Sequence, residues 1–117
     1  NLLVQPPLSP PSIVFPIVWT ILYVLMGISY YLLKNSSKKE KIIYFVQLGV
    51  NALWSLFFFI GKFYLFSFIW IILLDVLVIF MIGIFYQNSK ISGYLQIPYL
   101  IWILFATYLN LGIYVLN

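Results

Sequence analysis

An all-α transmembrane helical bundle is predicted for this chain by three observations. Four apolar segments, each about 19–23 residues long, fill most of its 117 residues, and each is long enough to cross a bilayer. Hydrophobic residues make up 65% and charged residues only 7%, too little polarity to cover a water-soluble domain. The linkers are short, so neighbouring helices must run antiparallel. Transmembrane strands need only about half this length, and open sheets leave backbone groups unbonded in lipid.

The elements follow in order within a single domain, 1–117. Residues 1–12 read NLLVQPPLSPPS, and Pro6, Pro7, Pro10 and Pro11 impose an extended course. This loop is expected to act as an ordered cap or as a lid over a pocket mouth. Ser12 is placed to cap the first helix. The spans are expected at about 13–33, 42–60, 64–86 and 94–116. Pro16 falls in the first turn of its span, where a missing N–H costs little. Pro98 lies inside the last span and should kink it or mark its true start. Gly49, Gly83 and Gly112 are expected where helices approach closely, although no pair forms a GxxxG face.

Charge sets the expected orientation. The segment after the first span holds Lys34, Lys38, Lys39 and Lys41, with Glu40; Lys90 follows the third span, and only Lys62 lies on the opposite side. By the positive-inside rule the Lys34–Lys41 loop is cytoplasmic. The net charge of +4 sits beside membrane spans and is too small for nucleic-acid binding. Cysteine, histidine and arginine are absent, which excludes disulfides, thiolate metal sites and the usual general base. No resident cofactor or metal is expected. The chain opens on prolines without a basic region, so no cleavable leader is expected.

Polar and aromatic residues gather on particular faces. At ~100° per residue, Gln47, Asn51, Trp54 and Phe58 share one face of the second span. Tyr99, Trp102, Ala106, Asn110, Ile113 and Asn117 share one face of the last, and Phe15, Trp19, Tyr23, Met26 and Tyr30 one face of the first. Two readings stand. The amides glue helices together, worth ~0.6–2 kcal/mol each, or the faces line an aromatic ligand cavity. The cavity is preferred, because tryptophans on two polar faces exceed what glue requires. Trp70 lies nearer an end of its span and suits the membrane interface. Asp75 lies near the middle of the third span and is one of two acids in the chain. A carboxylate at that depth needs a partner, a proton or the bundle interior. A structural role is favoured, with hydrogen bonds from a Tyr, Trp or Asn of a neighbouring helix.

These residues resemble the TspO/MBR family of tryptophan-rich sensory and translocator proteins. Gln5-Pro6 with Pro10-Pro11 is similar to its KPxWxPP loop, and Val18–Tyr23 with Met26-Gly27 to its VWxxLYxxMG. Gln47-Leu48, Asn51, Trp54 and Phe58-Phe59 resemble QLxxNxxWxxxFF; Leu74-Asp75 resembles LVDxxL. Pro98–Leu100, Trp102, Phe105–Thr107 and Leu109-Asn110 resemble PYLxWxxFATxLN. There are departures. Leu8 stands where the family has a loop tryptophan and Gln5 where it has lysine; Leu111 and Val115 replace the Tyr and Arg of the vertebrate cholesterol motif. The family fold has five helices, with the proline loop after the first. The resemblance therefore implies four of five spans here, lacking the first.

What the resemblance implies is a pocket for a porphyrin, haem or a similar flat apolar ligand in a multi-pass protein of a bacterial cell membrane. Its ligand-binding residues would be Trp19, Tyr23, Asn51, Trp54, Phe58, Trp102, Ala106 and Asn110. Partners would be the lipid bilayer and the small molecule, with a homodimer left open. The main expectation is a binding and sensing protein. The alternatives are a light-dependent porphyrin-degrading enzyme, with Trp19 and Trp102 as redox candidates, and a tetrapyrrole or sterol transporter. No residue pattern suggests acid–base or nucleophilic catalysis, and no inverted repeat suggests a transporter.

Overall fold

A computed structural model describes residues 13–33 and 38–117. The proline loop, the Ser12 cap and Lys34 lie outside the described residues. Five α-helices follow in order: α1 Val14–Tyr31, α2 Lys38–Ser55, α3 Tyr64–Asn88, α4 Lys90–Leu95 and α5 Ile97–Leu116. A π-helical turn, Leu56–Ile60, extends α2. No strand occurs among the described residues. Four helical stretches are long and apolar enough to cross a membrane: Val14–Tyr31, Lys38–Ile60, Tyr64–Asn88 and Lys90–Leu116.

The central helix is α3, which packs against α2, α4 and α5, while α1 leans mainly on α4. The reason lies in its sequence. Ile71, Leu74, Val78, Met81 and Phe85 recur at helical spacing and are fully buried. Residues between them, such as Ile72, Ile79 and Phe80, are half exposed and present an apolar surface that suits lipid.

Helix ends depart from expectation in three places. Helix α2 starts at Lys38, so Lys38, Lys39 and Lys41 lie on its first turns and outside any loop. Buried Glu40 accepts a 2.7 Å hydrogen bond from Asn88 Nδ2, which ties α2 to the end of α3. The last span begins at Lys90, where the Ser89 side chain accepts from the Ser92 N–H and caps α4. It breaks at Gln96, and Pro98 then takes the second position of α5, where its missing N–H is harmless. Of the two outcomes expected of Pro98, a kink or the true start of the span, the structure shows an interruption: the span already begins at Lys90, and Pro98 follows the break between α4 and α5.

The turn after α2 is also specific. A Cβ on Gly61 would lie 2.7 Å from the exposed Phe63 ring, which would have to swing aside to admit it. Lys62 adopts φ 56°, the left-handed region, to reverse the chain. The wider π turn sends consecutive phenylalanines to different neighbours. Phe58 stacks on Trp54 at 5.2 Å, and Phe57 meets Trp70 edge-on at 5.3 Å.

The glycine expectation needs correction. A Cβ on Gly49 or Gly83 would meet nothing within 4 Å among the described residues, so neither marks a close approach there. The tight contact is at Gly93, whose added Cβ would lie 2.8 Å from Tyr86 Cβ and 2.9 Å from its Cα. Helix α4 lies against α3 because that position has no side chain. Periodicity alone did not distinguish it, since glycines on a lipid face and at a contact read alike.

Candidate functional site

Three helices bring their aromatic faces together, with Trp19 of α1 in the middle. Its ring stacks on Tyr23 at 5.6 Å, with 28° between planes. Trp54 of α2, Tyr99 of α5 and Trp102 of α5 each lie with ring centroids 6.4 Å from it. Phe15 meets Trp102 edge-on at 5.6 Å. These spacings suit offset or edge-to-face attraction between ring quadrupoles. The order along each helix is dictated by the i, i+4 repeat, which aligns Phe15, Trp19 and Tyr23 on α1 and Trp54 with Phe58 beyond α2.

Beneath the rings runs a chain of hydrogen bonds. The Tyr23 hydroxyl donates to Asn51 Oδ1 at 2.9 Å. Asn51 Nδ2 donates to the Tyr99 hydroxyl at 2.8 Å, which donates in turn to Gln47 Oε1 at 2.8 Å. Gln47 Nε2 donates to the Tyr44 carbonyl at 2.9 Å, with Met26 Sδ 3.5 Å away. The Tyr44 carbonyl can only accept, so it orients the Gln47 amide and with it the direction of the whole chain. Asn51, Gln47 and Tyr99 are buried, and in lipid such groups must be satisfied within the bundle.

A second network lies toward the other end. Trp54 Nε1 donates to Asn110 Oδ1 at 3.0 Å, and Asn110 Nδ2 donates to the Tyr64 carbonyl at 2.8 Å. This ties α2, α5 and the start of α3. Ala106 is buried on the α5 face between Trp102 and Asn110. Both asparagines are thus committed to partners inside the protein. The Trp102 indole N–H differs: it is buried and has no partner among the described residues.

Of the eight sequence-derived site residues, Trp19, Asn51, Trp54, Trp102, Ala106 and Asn110 lie on the facing sides of α1, α2 and α5, and Phe58 lies on the π turn; Tyr23 is 43% exposed, and only its hydroxyl reaches inward to Asn51. Gln47 and Tyr99 were not among them, although both link the first network. Their place on the same helical faces, one turn from Asn51 and Trp102, was the available signal. Asp75 is buried, and its Oδ2 accepts from Thr107 Oγ1 of α5 at 2.8 Å. A neighbouring helix supplies the partner as expected, but the residue is Thr and not Tyr, Trp or Asn. Trp70 donates its Nε1 to the Val50 carbonyl at 2.9 Å, a bond between α3 and α2. Among the described residues no group of three or more His, Cys, Asp and Glu side chains could hold a metal ion.

Fold and site together define an all-α transmembrane bundle whose interior is built on tryptophan, tyrosine and amide side chains. The chain belongs to the TspO/MBR family, whose model matches residues 1–116. It is 43% identical over 117 residues to the tryptophan-rich protein TspO of Archaeoglobus fulgidus, covering 97% of this chain and 76% of that protein. It is 36% identical over 121 residues to the tryptophan-rich protein TspO of Chlorobaculum tepidum, covering 98% and 77%. It is also 30% identical over 124 residues to protein CrtK of Rhodobacter capsulatus, covering 97% and 74%. A membrane ligand-binding role is the coarse function this membership supports.

Proposed function

We propose that this chain is a TspO/MBR-type domain that binds a porphyrin, or a similar flat apolar ring system, and serves as a membrane sensor. The observation that carries the reading is the convergence of Trp54, Tyr99 and Trp102 on Trp19, each at 6.4 Å. Aromatic faces held by packing suit a planar ligand, because little side-chain freedom is lost when it stacks. The Trp102 N–H, which has no partner among the described residues, supports the reading further, since an acceptor on the ligand would satisfy it. Asn51 and Asn110 act by positioning Tyr23, Tyr99 and Trp54. Tyr23, Phe58 and Ala106 complete the contact surface. The lysine-bearing end faces the cytoplasm of a bacterial cell membrane, by the positive-inside rule.

Titration of the protein with protoporphyrin IX tests this reading by quenching of tryptophan fluorescence. Each stacked ring contributes ~0.5–1.5 kcal/mol beyond burial. Trp19→Phe and Trp102→Phe should weaken binding modestly, and alanine at either position much more. Absence of saturable binding by the folded protein would remove the proposal.

A second reading is light-dependent oxidative breakdown of the bound porphyrin, with dissolved dioxygen as the oxidant and oxygen source. The run of indoles Trp54–Trp19–Trp102, each step 6.4 Å between ring centroids, favours it as a route for electron transfer. Under illumination the porphyrin band should bleach faster with the protein than with an unrelated membrane protein. Both Trp→Phe changes should slow bleaching while binding persists. Equal bleaching in both variants leaves binding alone.

A further inference from the structure

Away from the aromatic centre, a groove of about 510 Å³ opens on the outer flank between α2 and α3. Ile42, Ile43 and Val46 of α2 and Ile84 of α3 line it, and Lys38 and Lys39 stand at its upper end. Positions 39, 42, 43 and 46 form one helical stripe. From Lys38 to Val46 the stripe runs ~12 Å along α2, close to the acyl depth of one leaflet.

We propose that this groove seats one anionic phospholipid of the surrounding bilayer. The acyl chain lies along the isoleucines and Val46, and the phosphate meets the ammonium groups of Lys38 and Lys39. Two features argue for this occupant. The floor consists of aliphatic side chains and gives no polar contact that would orient a sugar or nucleobase. The acid of the same helical turn, Glu40, is buried and bonded to Asn88, so it does not occupy the lysine-lined mouth. The first turn of α2 also presents the positive end of its dipole on this side. Exposed apolar residues occur all around the bundle, but here a concave apolar floor meets two cations at headgroup depth.

Native mass spectrometry of the full-length protein, released from neutral detergent with equal amounts of phosphatidylglycerol and phosphatidylcholine, tests the assignment. One phosphatidylglycerol should be retained about thirtyfold over phosphatidylcholine, in line with the attraction of two lysines for an anionic headgroup. K38Q/K39Q should abolish the preference, and K90Q, which removes a charge outside the groove, should leave it intact. Val46→Trp, which fills the groove, should lower retention of both lipids. Inorganic phosphate should not compete, since it has no chain to bury. Circular dichroism should be unchanged in all variants, whose positions are exposed. Equal retention of the two lipids, equal loss in K90Q, or competition by inorganic phosphate would each overturn the proposal.

Discussion

Asn51 and Tyr99 meet at 2.8 Å between α2 and α5, with the amide donating and the phenol accepting. Because the same phenol donates to Gln47 Oε1, one hydroxyl holds two buried amides in place. This places Trp54 and Trp102 by fixing α2 and α5, the helices that carry them.

Tyr99→Phe is therefore expected to destabilise the protein while keeping its shape. It strips a donor from Gln47 and an acceptor from Asn51, both buried. The loss should be about 1–3 kcal/mol, the usual penalty for orphaned buried polar groups. Unfolding in mixed micelles measures it. Porphyrin binding at saturating ligand should survive, since the stacking rings remain.

At Asp75 the hydrogen count matters. Thr107 Oγ1 lies 2.8 Å from Asp75 Oδ2 and 2.7 Å from the Ile103 carbonyl, yet a hydroxyl has one hydrogen. An amide at position 75 supplies a second. Asp75→Asn should fold and bind ligand as the parent does, because no charge is then buried. Asp75→Leu should unfold more readily, having lost the link to Thr107. Loss of ligand binding by folded Asp75→Asn would instead give Asp75 a role in binding.

Two tryptophans outside the Trp19–Trp102 contact separate glue from interface anchoring. Trp54→Phe removes the donor to buried Asn110 Oδ1 and should cost about 1–2 kcal/mol. Trp70→Phe removes a bond to the Val50 carbonyl, which the helix also engages, and should cost less, ~0.5–1 kcal/mol. Equal unfolding midpoints for the two variants would contradict this ordering.

Gly93 and Gly83 make a paired test of helix packing. Gly93→Ala forces a methyl to 2.9 Å from the Tyr86 backbone, so α4 must move off α3 at a cost of about 1–3 kcal/mol. Gly83→Ala meets open space and should stabilise by ~0.5–1 kcal/mol through helix propensity. Thermal melts of the two variants should therefore shift in opposite directions.

The sequence by itself determined the helical class, the four spans and the inward faces of α2 and α5, whereas α1 buries Leu22, Met26 and Ser29 and leaves Tyr23 of its expected face exposed. Those depend on length, hydropathy and a fixed 100° step, all local properties. Hence Trp19, Asn51, Trp54 and Trp102 could be assigned to converging faces before any partner was known. The same local reading misplaced the glycine contact, extended the lysine loop into what is the start of α2, and did not anticipate the α4 segment. Only the tertiary structure decided which atoms meet. Asn51 bonds Tyr23 and Tyr99, Asp75 takes Thr107, and the Trp102 N–H is left without a partner among the described residues. The reason is physical. A helical face specifies direction to within tens of degrees, whereas a hydrogen bond needs a few tenths of an ångström. That precision depends on the height and tilt of helices far apart in the chain, which no periodicity encodes.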